Sequence, residues 1–497
     1  GSAEETVQTT LKALNDKGRE RLSLIQIAYS QKRESIEVLE AKVIPPAQSS
    51  NATIPIPKSS IAIKQIANGP HGLSDGVQLN IPFEGVTLGA SISYTYRRKI
   101  KPSPIVGAYF NELVYGLEDR EVQSDVTIRS QIPLKMIAQN PQGKLVIENK
   151  EENGWFILQV RQMAPFEPLS LANLNANPLD LSGYNKVTRV DITTDLSWEQ
   201  LQKRFDEKFR PLLSQSLPSE VKTFIASLSG KTEAQKISAT RNWINDRITY
   251  SGRWTGASSD WIPRPIDEIL RSKVADCKDF ALLFTRILQE LKIPATFTVV
   301  NAGAADAKAA STVWFSQPLD DAKPLPALIY FNHAVVRVKT ESKTLLLDPT
   351  LKLSQAAHTD LHLNLKPIWI LEPGTKGYSR WTPEAAQEST ALTDVNQGLG
   401  GQQISSTIQL EGPLAQFIQS IRFGSRPSAL SDTLGLLAGF KNIERFKIKE
   451  EPPADRALSK LRYRVEFFVQ EQSAQSTGQR SHTIVPSFST ATLATVD

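Results

Sequence analysis

The hydrophobic pattern of the chain changes near residue 195, and this change limits the folds that it can form. Before that point apolar residues alternate with polar or smaller ones, which is typical of half-buried β-strands. One such run contains Val86, Leu88, Ala90, Ile92, Tyr94 and Tyr96. Asn153-Gly154, between two further strand-like runs, is a strong signal for a tight hairpin turn. We therefore predict an N-terminal antiparallel β-sandwich over residues 1–190.

Helical periodicity dominates the middle of the chain. Residues 198–213 and 232–248 have helical spacing, and the second stretch opens with Thr232-Glu-Ala-Gln235, the pattern of a capping box. A third helix is predicted after residue 277, because apolar residues recur there at intervals of three and four: Phe280, Leu283, Phe284, Ile287, Leu288 and Leu291. Strand-like runs follow up to residue 347. Helices followed by antiparallel strands predict an α+β core over residues 195–355.

The last part of the chain, residues 365–497, is predicted to be a smaller β-rich domain with short helices. Helical stretches at 414–421 and 430–440 precede a strand with alternating apolar residues: Leu461, Tyr463, Val465, Phe467 and Val469. A chain of 497 residues is too long for one hydrophobic core. We therefore expect a multidomain α+β protein.

Charge and composition argue against several classes of function. The net charge of +5 is spread thinly, and its densest basic cluster is Arg97-Arg-Lys-Ile-Lys101. We interpret this cluster as a solvated strand edge, not as a nucleic-acid-binding patch. No apolar run approaches the roughly 20 residues needed to cross a bilayer. The sequence has no zinc-ligand spacing, Gly-rich phosphate loop or calcium loop, so we expect no metal and no cofactor.

Cys277 is the only cysteine of the chain, and its position favours a reactive thiol. It follows Asp276, a good N-cap residue, and would occupy the first position of the predicted helix. The positive end of the helix dipole stabilises negative charge there. The backbone N–H at this position has no partner within the helix and can donate to an oxyanion. A lone cysteine forms no internal disulfide, so the cysteine count does not indicate the compartment.

A nucleophilic cysteine also needs a histidine, and His333 is the best of the five candidates. The other four lie in no pattern that distinguishes them from surface histidines: His71, His358, His362 and His482. His333 begins a strand-like run that returns as a second strand ending at Asp348. With the hairpin loop centred between residues 340 and 341, the numbers of cross-strand partners sum to 681. This register places His333 directly opposite Asp348, where the acid would orient the imidazole towards a thiol.

Three short motifs together resemble the transglutaminase-like superfamily: Asp276-Cys277 opening a helix, His333 opening a strand, and Leu347-Asp348-Pro-Thr350 closing the next strand. The resemblance covers about residues 195–355 and implies a papain-like core that uses Cys, His and Asp in that chain order. The stretch Gly89-Ala-Ser-Ile-Ser-Tyr-Thr-Tyr96 resembles the uncharacterised β-sandwich domain that often precedes such cores in exported bacterial proteins. The resemblance thus implies a periplasmic or cell-surface protein. Gly1-Ser2 resembles a cleavage scar, so we expect any signal peptide to have been removed.

The resemblance also implies a role for each site residue. Cys277 would be the nucleophile, His333 the general base and acid, and Asp348 the acid that orients the imidazole. Animal members of the superfamily use a tryptophan upstream of the nucleophile, whose indole N–H helps to bind the oxyanion. Trp261, which opens Trp261-Ile-Pro-Arg-Pro-Ile-Asp-Glu-Ile-Leu270, is the better candidate, and Trp254 is the second. The calcium sites of the animal enzymes have no counterpart in this sequence.

Three functions are compatible with these residues. A cysteine amide hydrolase would cleave peptide or isopeptide bonds of protein or peptide substrates through a thioester. An acyltransferase would let an amine replace water and would crosslink proteins. A non-catalytic scaffold would use its β domains to bind a cell-surface partner. The complete set of three residues favours catalysis, and hydrolysis is favoured because water is always available to an open thioester.

Overall fold

The computed structural model describes residues 3–47, 52–66, 76–101, 105, 107–116, 120–169, 187–251, 261–302, 323–351, 359–375, 377–382, 390–397, 403–411, 418, 430, 443–451, 460–469 and 483–484. The chain divides into two compact units. The first unit consists of Gly1–Tyr109, Arg204–Pro211 and Thr249–Asp276. The second consists of Phe110–Lys203, Leu212–Ile248 and Cys277–Asp497.

The N-terminal part of the first unit is rich in β-structure, as its alternating pattern predicts. Its elements are β1 (Ala3–Lys12), α1 (Asp16–Leu22), β2 (Leu24–Ser30), β3 (Glu34–Ile44), β4 (Ile54–Pro55), β5 (Ala62–Gln65), β6 (Gly76–Pro82) and β7 (Ser91–Ile100). They form two antiparallel sheets with strand orders β1-β7-β3-β4 and β2-β6-β5. Both sheets contribute to one hydrophobic core, which includes Val43 from β3, Ile81 from β6 and Ile92 from β7.

The basic cluster at residues 97–101 does not lie at a sheet edge, so this prediction was wrong. Most of it lies in β7, which has a neighbouring strand on each side. Arg97 approaches Glu4 of β1 at 3.5 Å and Glu37 of β3 at 3.7 Å, and Arg98 approaches Glu5 at 3.8 Å. Acidic residues of the two flanking strands therefore balance the charge of the cluster, a contact that local sequence does not reveal.

The following strands belong to the second unit. They are β8 (Phe110–Tyr115), β9 (Asp125–Ser130), β10 (Leu134–Gln139), β11 (Leu145–Glu152), β12 (Trp155–Gln162) and β13 (Thr188–Thr194). Two three-stranded sheets result, with orders β10-β13-β8 and β11-β12-β9. The predicted hairpin turn is confirmed between β11 and β12, where Asn153 and Gly154 have φ values of 51° and 76°. Both residues therefore adopt the left-handed conformation that such a two-residue turn requires.

The helices follow, and those predicted from periodicity are confirmed. The elements are α2 (Trp198–Leu213), α3 (Ser219–Ala226), α4 (Glu233–Arg247), β14 (Thr249–Tyr250), α5 (Ile266–Ser272), β15 (Val274–Ala275) and α6 (Cys277–Glu290). The capping box at the start of α4 is present, because Thr232 and Gln235 each bond the other's backbone N–H through a side-chain oxygen. Helix α4 packs against α6, whose apolar side chains are buried. In the part of the chain that the structure describes, no helix is long and apolar enough to span a membrane.

A five-stranded antiparallel sheet lies against α6. Its strands are β16 (Ala295–Val300), β17 (His333–Lys339), β18 (Thr344–Leu347), β19 (Pro367–Ile370) and β20 (Tyr378–Arg380). Their order is β18-β17-β16-β19-β20, and α6 packs on β16 and β17. The sheet thus continues to Arg380, past residue 355. The domain bounds 1–190, 195–355 and 365–497 stay a prediction.

A second five-stranded sheet occupies the C-terminal region. It contains β21 (Thr390–Gln397), β22 (Gln403–Glu411), β23 (Ile443–Glu451), β24 (Lys460–Val469) and β25 (Thr483–Ile484), in the order β23-β24-β22-β21-β25. The strand predicted from Leu461 to Val469 is confirmed as β24. The helices predicted at 414–421 and 430–440 lie outside the described residues, except for the single helical residues Ile418 and Leu430. The chain is thus a mixed α+β protein with β-rich ends and a helical centre, as predicted.

Candidate active site

Cys277 is the first residue of α6 and is fully buried, with 0% of its surface exposed. The strand that precedes it, β15, pairs in parallel with β14, and Ser251 N donates to Ala275 O at 2.8 Å. The chain is therefore fixed two residues before the thiol. Asp279 follows in the first turn of α6. The predicted position of Cys277 at a helix start is confirmed, and it is the position where the helix dipole favours negative charge.

His333 lies between the thiol and the carboxylate. It is the first residue of β17, and its cross-strand partner in β16 is Val300. Its Nε2 atom lies 2.7 Å from Asp348 Oδ2. Cys277 is close enough to raise the pKa of the same imidazole. Since Nε2 faces the carboxylate, Nδ1 is the ring nitrogen left for the thiol. The structure thus brings together the three residues that the sequence analysis selected.

The hairpin register used to predict this contact was wrong by two residues. The observed partners are Val336 with Leu347 and Arg337 with Leu346, so the residue numbers sum to 683 and not 681. A shift of two residues leaves every side chain on the same face of the sheet, whereas a shift of one would reverse it. Asp348 is therefore a diagonal neighbour of His333, and such neighbours are close enough for long side chains to meet.

Charges and hydrogen bonds have a larger combined effect than burial on the pKa values of His333 and Asp348. Burial by itself lowers the pKa of His333, but the charges of Asp348 and Cys277 and hydrogen bonds to both raise that pKa well above its ordinary value. Burial likewise raises the pKa of Asp348, yet the charge and hydrogen bond of His333, helped by His362, hold it well below its ordinary value. An imidazolium beside a carboxylate is therefore the favoured state of the pair.

Asp348 has two further partners that the sequence analysis missed. Its Oδ1 atom accepts hydrogen bonds from Thr350 N at 2.9 Å and from Thr350 Oγ1 at 2.7 Å, which makes Asp348 a turn residue as well as a partner of His333. His362 Nε2 lies 3.3 Å from Oδ2. His362 is a partly exposed turn residue, and its contact with Asp348 was not predicted. It lies in a short 3-10 turn, Leu361–Leu363, and no local pattern indicates its contact with Asp348.

The two tryptophans remain candidates. Trp261 is half-buried and belongs to the Thr249–Asp276 segment of the first unit, whereas Trp254 lies outside the described residues. Their role in binding an oxyanion stays a prediction. Over the described residues no group of three or more His, Cys, Asp or Glu side chains could hold a metal ion.

Two family models match separate parts of the chain. Residues 222–342 match the family model of the transglutaminase-like superfamily, and residues 1–151 match that of a domain of unknown function with solved structures, DUF3857. The chain therefore carries, in the order that the resemblance predicted, a match to the DUF3857 model followed by a match to the transglutaminase-like model. No curated protein matches the chain.

Two solved structures show the extent of the likeness. One, from Parabacteroides distasonis ATCC 8503 and provisionally named a protease, covers 100% of this chain and 92% of its own, with a TM-score of 0.60 and 13% identity. Another, from Cytophaga hutchinsonii and provisionally named a cysteine protease, covers 49% of this chain and 78% of its own, with a TM-score of 0.19 and 13% identity. At this identity the first shows a shared fold alone, and the second is too distant to support an argument.

Proposed function

We propose that this protein is a cysteine-dependent amide hydrolase that cleaves peptide or isopeptide bonds in protein or peptide substrates. One observation carries the proposal: His333 bonds Asp348 at 2.7 Å through Nε2, and the same imidazole lies close enough to Cys277 for that residue to raise its pKa. This is the arrangement in which an oriented imidazole activates a nucleophile. The transglutaminase-like match over residues 222–342 supports it.

In the first half of the reaction the Cys277 thiolate attacks the carbonyl carbon of the substrate, and the C=O electron pair moves onto oxygen. The backbone N–H of Cys277, at the first helical position, is placed to donate to that oxyanion. The intermediate collapses, the C–N bond breaks, and the His333 imidazolium gives its proton to the leaving amine. An acyl group then remains bound to Cys277 as a thioester.

In the second half His333, now neutral, takes a proton from water as the water oxygen attacks the thioester. The C–S bond breaks, the carboxylic acid leaves, and the thiolate–imidazolium pair is restored. Asp348 stays ionised throughout and keeps the Nε2–H of His333 directed away from the thiol.

The pH dependence of Cys277 alkylation by iodoacetamide tests the proposal. Because the chain has one cysteine, every cysteine adduct identified by mass spectrometry reports this site. We expect the wild type to react at pH 5–7 much faster than an ordinary thiol, which titrates near about 8.5. His333→Ala should lose this reaction, and His482→Ala, a histidine outside the motif, should keep it. If the wild type and His333→Ala both follow an ordinary thiol titration, the site has no activated cysteine and the proposal is refuted.

A second experiment separates hydrolysis from acyl transfer. A complex peptide mixture is incubated with the protein in ¹⁸O-labelled water containing an added primary amine, with Cys277→Ala as the control. Hydrolysis places ¹⁸O in newly formed carboxyl groups, whereas transfer forms new amides with the added amine. Mass spectrometry distinguishes the two products. A predominance of new amides would replace the hydrolase by the crosslinking acyltransferase.

A further inference from the structure

Asp348 is held through its backbone as well as through its carboxylate. Its N–H donates to Asp360 Oδ2 at 2.5 Å. The same oxygen accepts a hydrogen bond from Arg241 Nη2 at 3.3 Å. Arg241 and Asp360 form an ion pair whose side chains are 1% and 2% exposed. This buried pair therefore bonds the backbone of the residue whose carboxylate meets His333.

Helix α4 makes a second contact, with the loop that follows β18 and contains Asp348 and Pro349. Asn245, one turn after Arg241, donates through Nδ2 to Pro349 O at 2.9 Å and to Arg241 O at 3.0 Å. Helix α4 also packs against α6, which begins at Cys277. One helix thus contacts both the loop of the acid and the helix of the nucleophile.

The segment Thr359–Leu363, called the brace segment below, carries Asp360. It is fixed to β18, because Leu346 N donates to Thr359 Oγ1 at 3.0 Å and Asp360 N donates to Leu346 O at 3.1 Å. Its last residue, Leu363, is fully buried in an apolar cluster that also contains Leu346. The brace segment therefore has a defined position relative to the strand that ends beside Asp348.

His362 approaches Asp348 from the same brace segment. Its Nε2 atom lies 3.3 Å from Oδ2, the oxygen that also bonds His333, and its side chain is 31% exposed. Oδ1 is occupied by the two hydrogen bonds from Thr350. Both carboxylate oxygens thus have donors, and rotation of the carboxylate would break several contacts at once.

The Arg241–Asp360 ion pair is poorly suited to stabilise the folded protein. Among the residues that the structure describes, the buried Nε and Nη1 atoms of Arg241 have no hydrogen-bond partner. Removing two charges from water costs more than their attraction returns unless the remaining donors are satisfied. Since the pair also bonds the Asp348 backbone, orientation of the acid accounts for it better than stability does.

We propose that Asp360, held by Arg241, is a positioning residue that fixes Asp348 in the orientation that His333 requires, and that His362 steadies the carboxylate from the same brace segment. The inference rests on the proposed Cys277 chemistry, because Asp360 acts on the thiol only through Asp348 and His333. Asp360 and His362 lie outside residues 222–342, the part that matches the transglutaminase-like model.

Two double variants isolate the hydrogen bond to the Asp348 backbone. Arg241→Met/Asp360→Asn removes both charges but keeps an oxygen acceptor of nearly the same shape. Arg241→Met/Asp360→Leu removes both charges and the acceptor. Neither leaves an uncompensated buried charge. Arg271→Met/Asp267→Asn, which removes an ion pair whose side chains are 74% and 67% exposed, is the control.

Iodoacetamide alkylation at pH 5–7 and the Nε2–H proton signal of His333 are measured in each variant, with the five histidines labelled with ¹⁵N. We expect the alkylation rate of Arg241→Met/Asp360→Asn, the Asn variant, to lie within about threefold of the wild-type rate. The rate of Arg241→Met/Asp360→Leu, the Leu variant, should fall at least about tenfold, because misplacing catalytic groups slows a reaction strongly. The Leu variant should also lose the hydrogen-bonded His333 signal. A folded Leu variant with the wild-type rate and signal would overturn the inference.

Two further outcomes remain decisive. If wild-type Cys277 reacts as an ordinary thiol, the proposed function fails, and the His333 signal alone then tests the positioning role. If the Leu variant does not fold, His362→Leu replaces it, because that side chain is partly exposed. We expect His362→Leu to slow alkylation by about two- to fivefold and to shift the His333 signal, because the lost hydrogen bond is long, at 3.3 Å, and partly exposed and so lies at the weak end of the usual range. An unchanged rate and signal would refute the proposal.

Discussion

Replacing Asp348 with Asn gives the sharpest test of the site, because the structure dictates which way the amide must turn. Thr350 directs two hydrogen-bond donors at Oδ1, so the Asn carbonyl oxygen should occupy that position. The NH₂ group would then take the place of Oδ2 and face His333 Nε2. An amide donor there requires an unprotonated Nε2, and the ring proton would move to the nitrogen that faces Cys277.

The size of the effect follows from the contacts that are lost. Wild-type Oδ2 accepts a 2.7 Å bond from His333, and the Asp348 side chain is 4% exposed. A hydrogen bond to a charged group contributes about 1.5–3 kcal/mol. Losing about 2–3 kcal/mol of imidazolium stabilisation corresponds to about a 30- to 150-fold slower reaction of the thiolate at acidic pH.

Alkylation of Cys277 by iodoacetamide from pH 5 to 9 measures this loss directly. Asp348→Asn should lose most of the reaction below pH 7, and its difference from the wild type should become smaller as the pH rises. Asp267→Asn, which alters a carboxylate that is 67% exposed, is the matched control and should follow the wild type. Identical profiles for wild type and Asp348→Asn would refute the orienting role and leave Asp348 as a turn residue.

Three other predictions follow from the structure. The raised pKa of His333 stabilises the folded protein fully below about pH 6.5, and this stability is lost as the pH rises through the pKa of His333 in the folded state. The lowered pKa of Asp348 stabilises the folded protein fully above about pH 3.9, and this stability is lost as the pH falls through the pKa of Asp348 in the folded state. The wild type should therefore exceed Asp348→Asn in unfolding temperature by the largest margin between about pH 3.9 and pH 6.5. A margin that does not change with pH would contradict the ionised His333–Asp348 pair. Arg241→Ala breaks the buried ion pair with Asp360 by removing one partner and should cost about 3–5 kcal/mol in denaturant unfolding of this part of the chain; a cost under about 1 kcal/mol would contradict a structural role of the pair. Gly154→Ala should cost about 1–2 kcal/mol because φ is 76°, although open space surrounds the position, and limited proteolysis of the hairpin would detect the loosening.

Local pattern predicted the elements of the site well. Helix α4 with its capping box, helix α6 beginning at Cys277, and the strands β17 and β18 all follow from periodicity and from capping or turn residues within a few positions. These signals are local because helix caps and strand alternation depend on neighbours in sequence. The sequence therefore placed Cys277 correctly at a helix start.

The partners of Asp348 outside its own hairpin were not predictable in this way. Asp360 is separated from Asp348 by 12 residues and from Arg241 by 119, and its contacts depend on where a later segment packs on β18. Its neighbour His362 likewise has no periodic context. Such contacts are set by tertiary packing, which leaves no fixed spacing in the sequence. The acidic residues beside the basic cluster of β7 were missed for the same reason.

The register of β17 and β18 was predicted wrongly, and yet the predicted contact between His333 and Asp348 was correct. The loop centre was placed one position too early, so the predicted sum of 681 became 683, and yet His333 still meets Asp348 at 2.7 Å. An even shift of register preserves the face on which each side chain lies, and an odd shift reverses it. The even shift therefore keeps His333 and Asp348 on a shared face. Both faces of β17 and β18 are buried, so the alternation of apolar residues does not by itself specify which face that is. The final approach of the two side chains depends on where the turn after Asp348 directs the carboxylate. Thr350 and Asp360 hold that turn in the structure, so the residues that complete the geometry are also those that a pattern of apolar residues does not reveal.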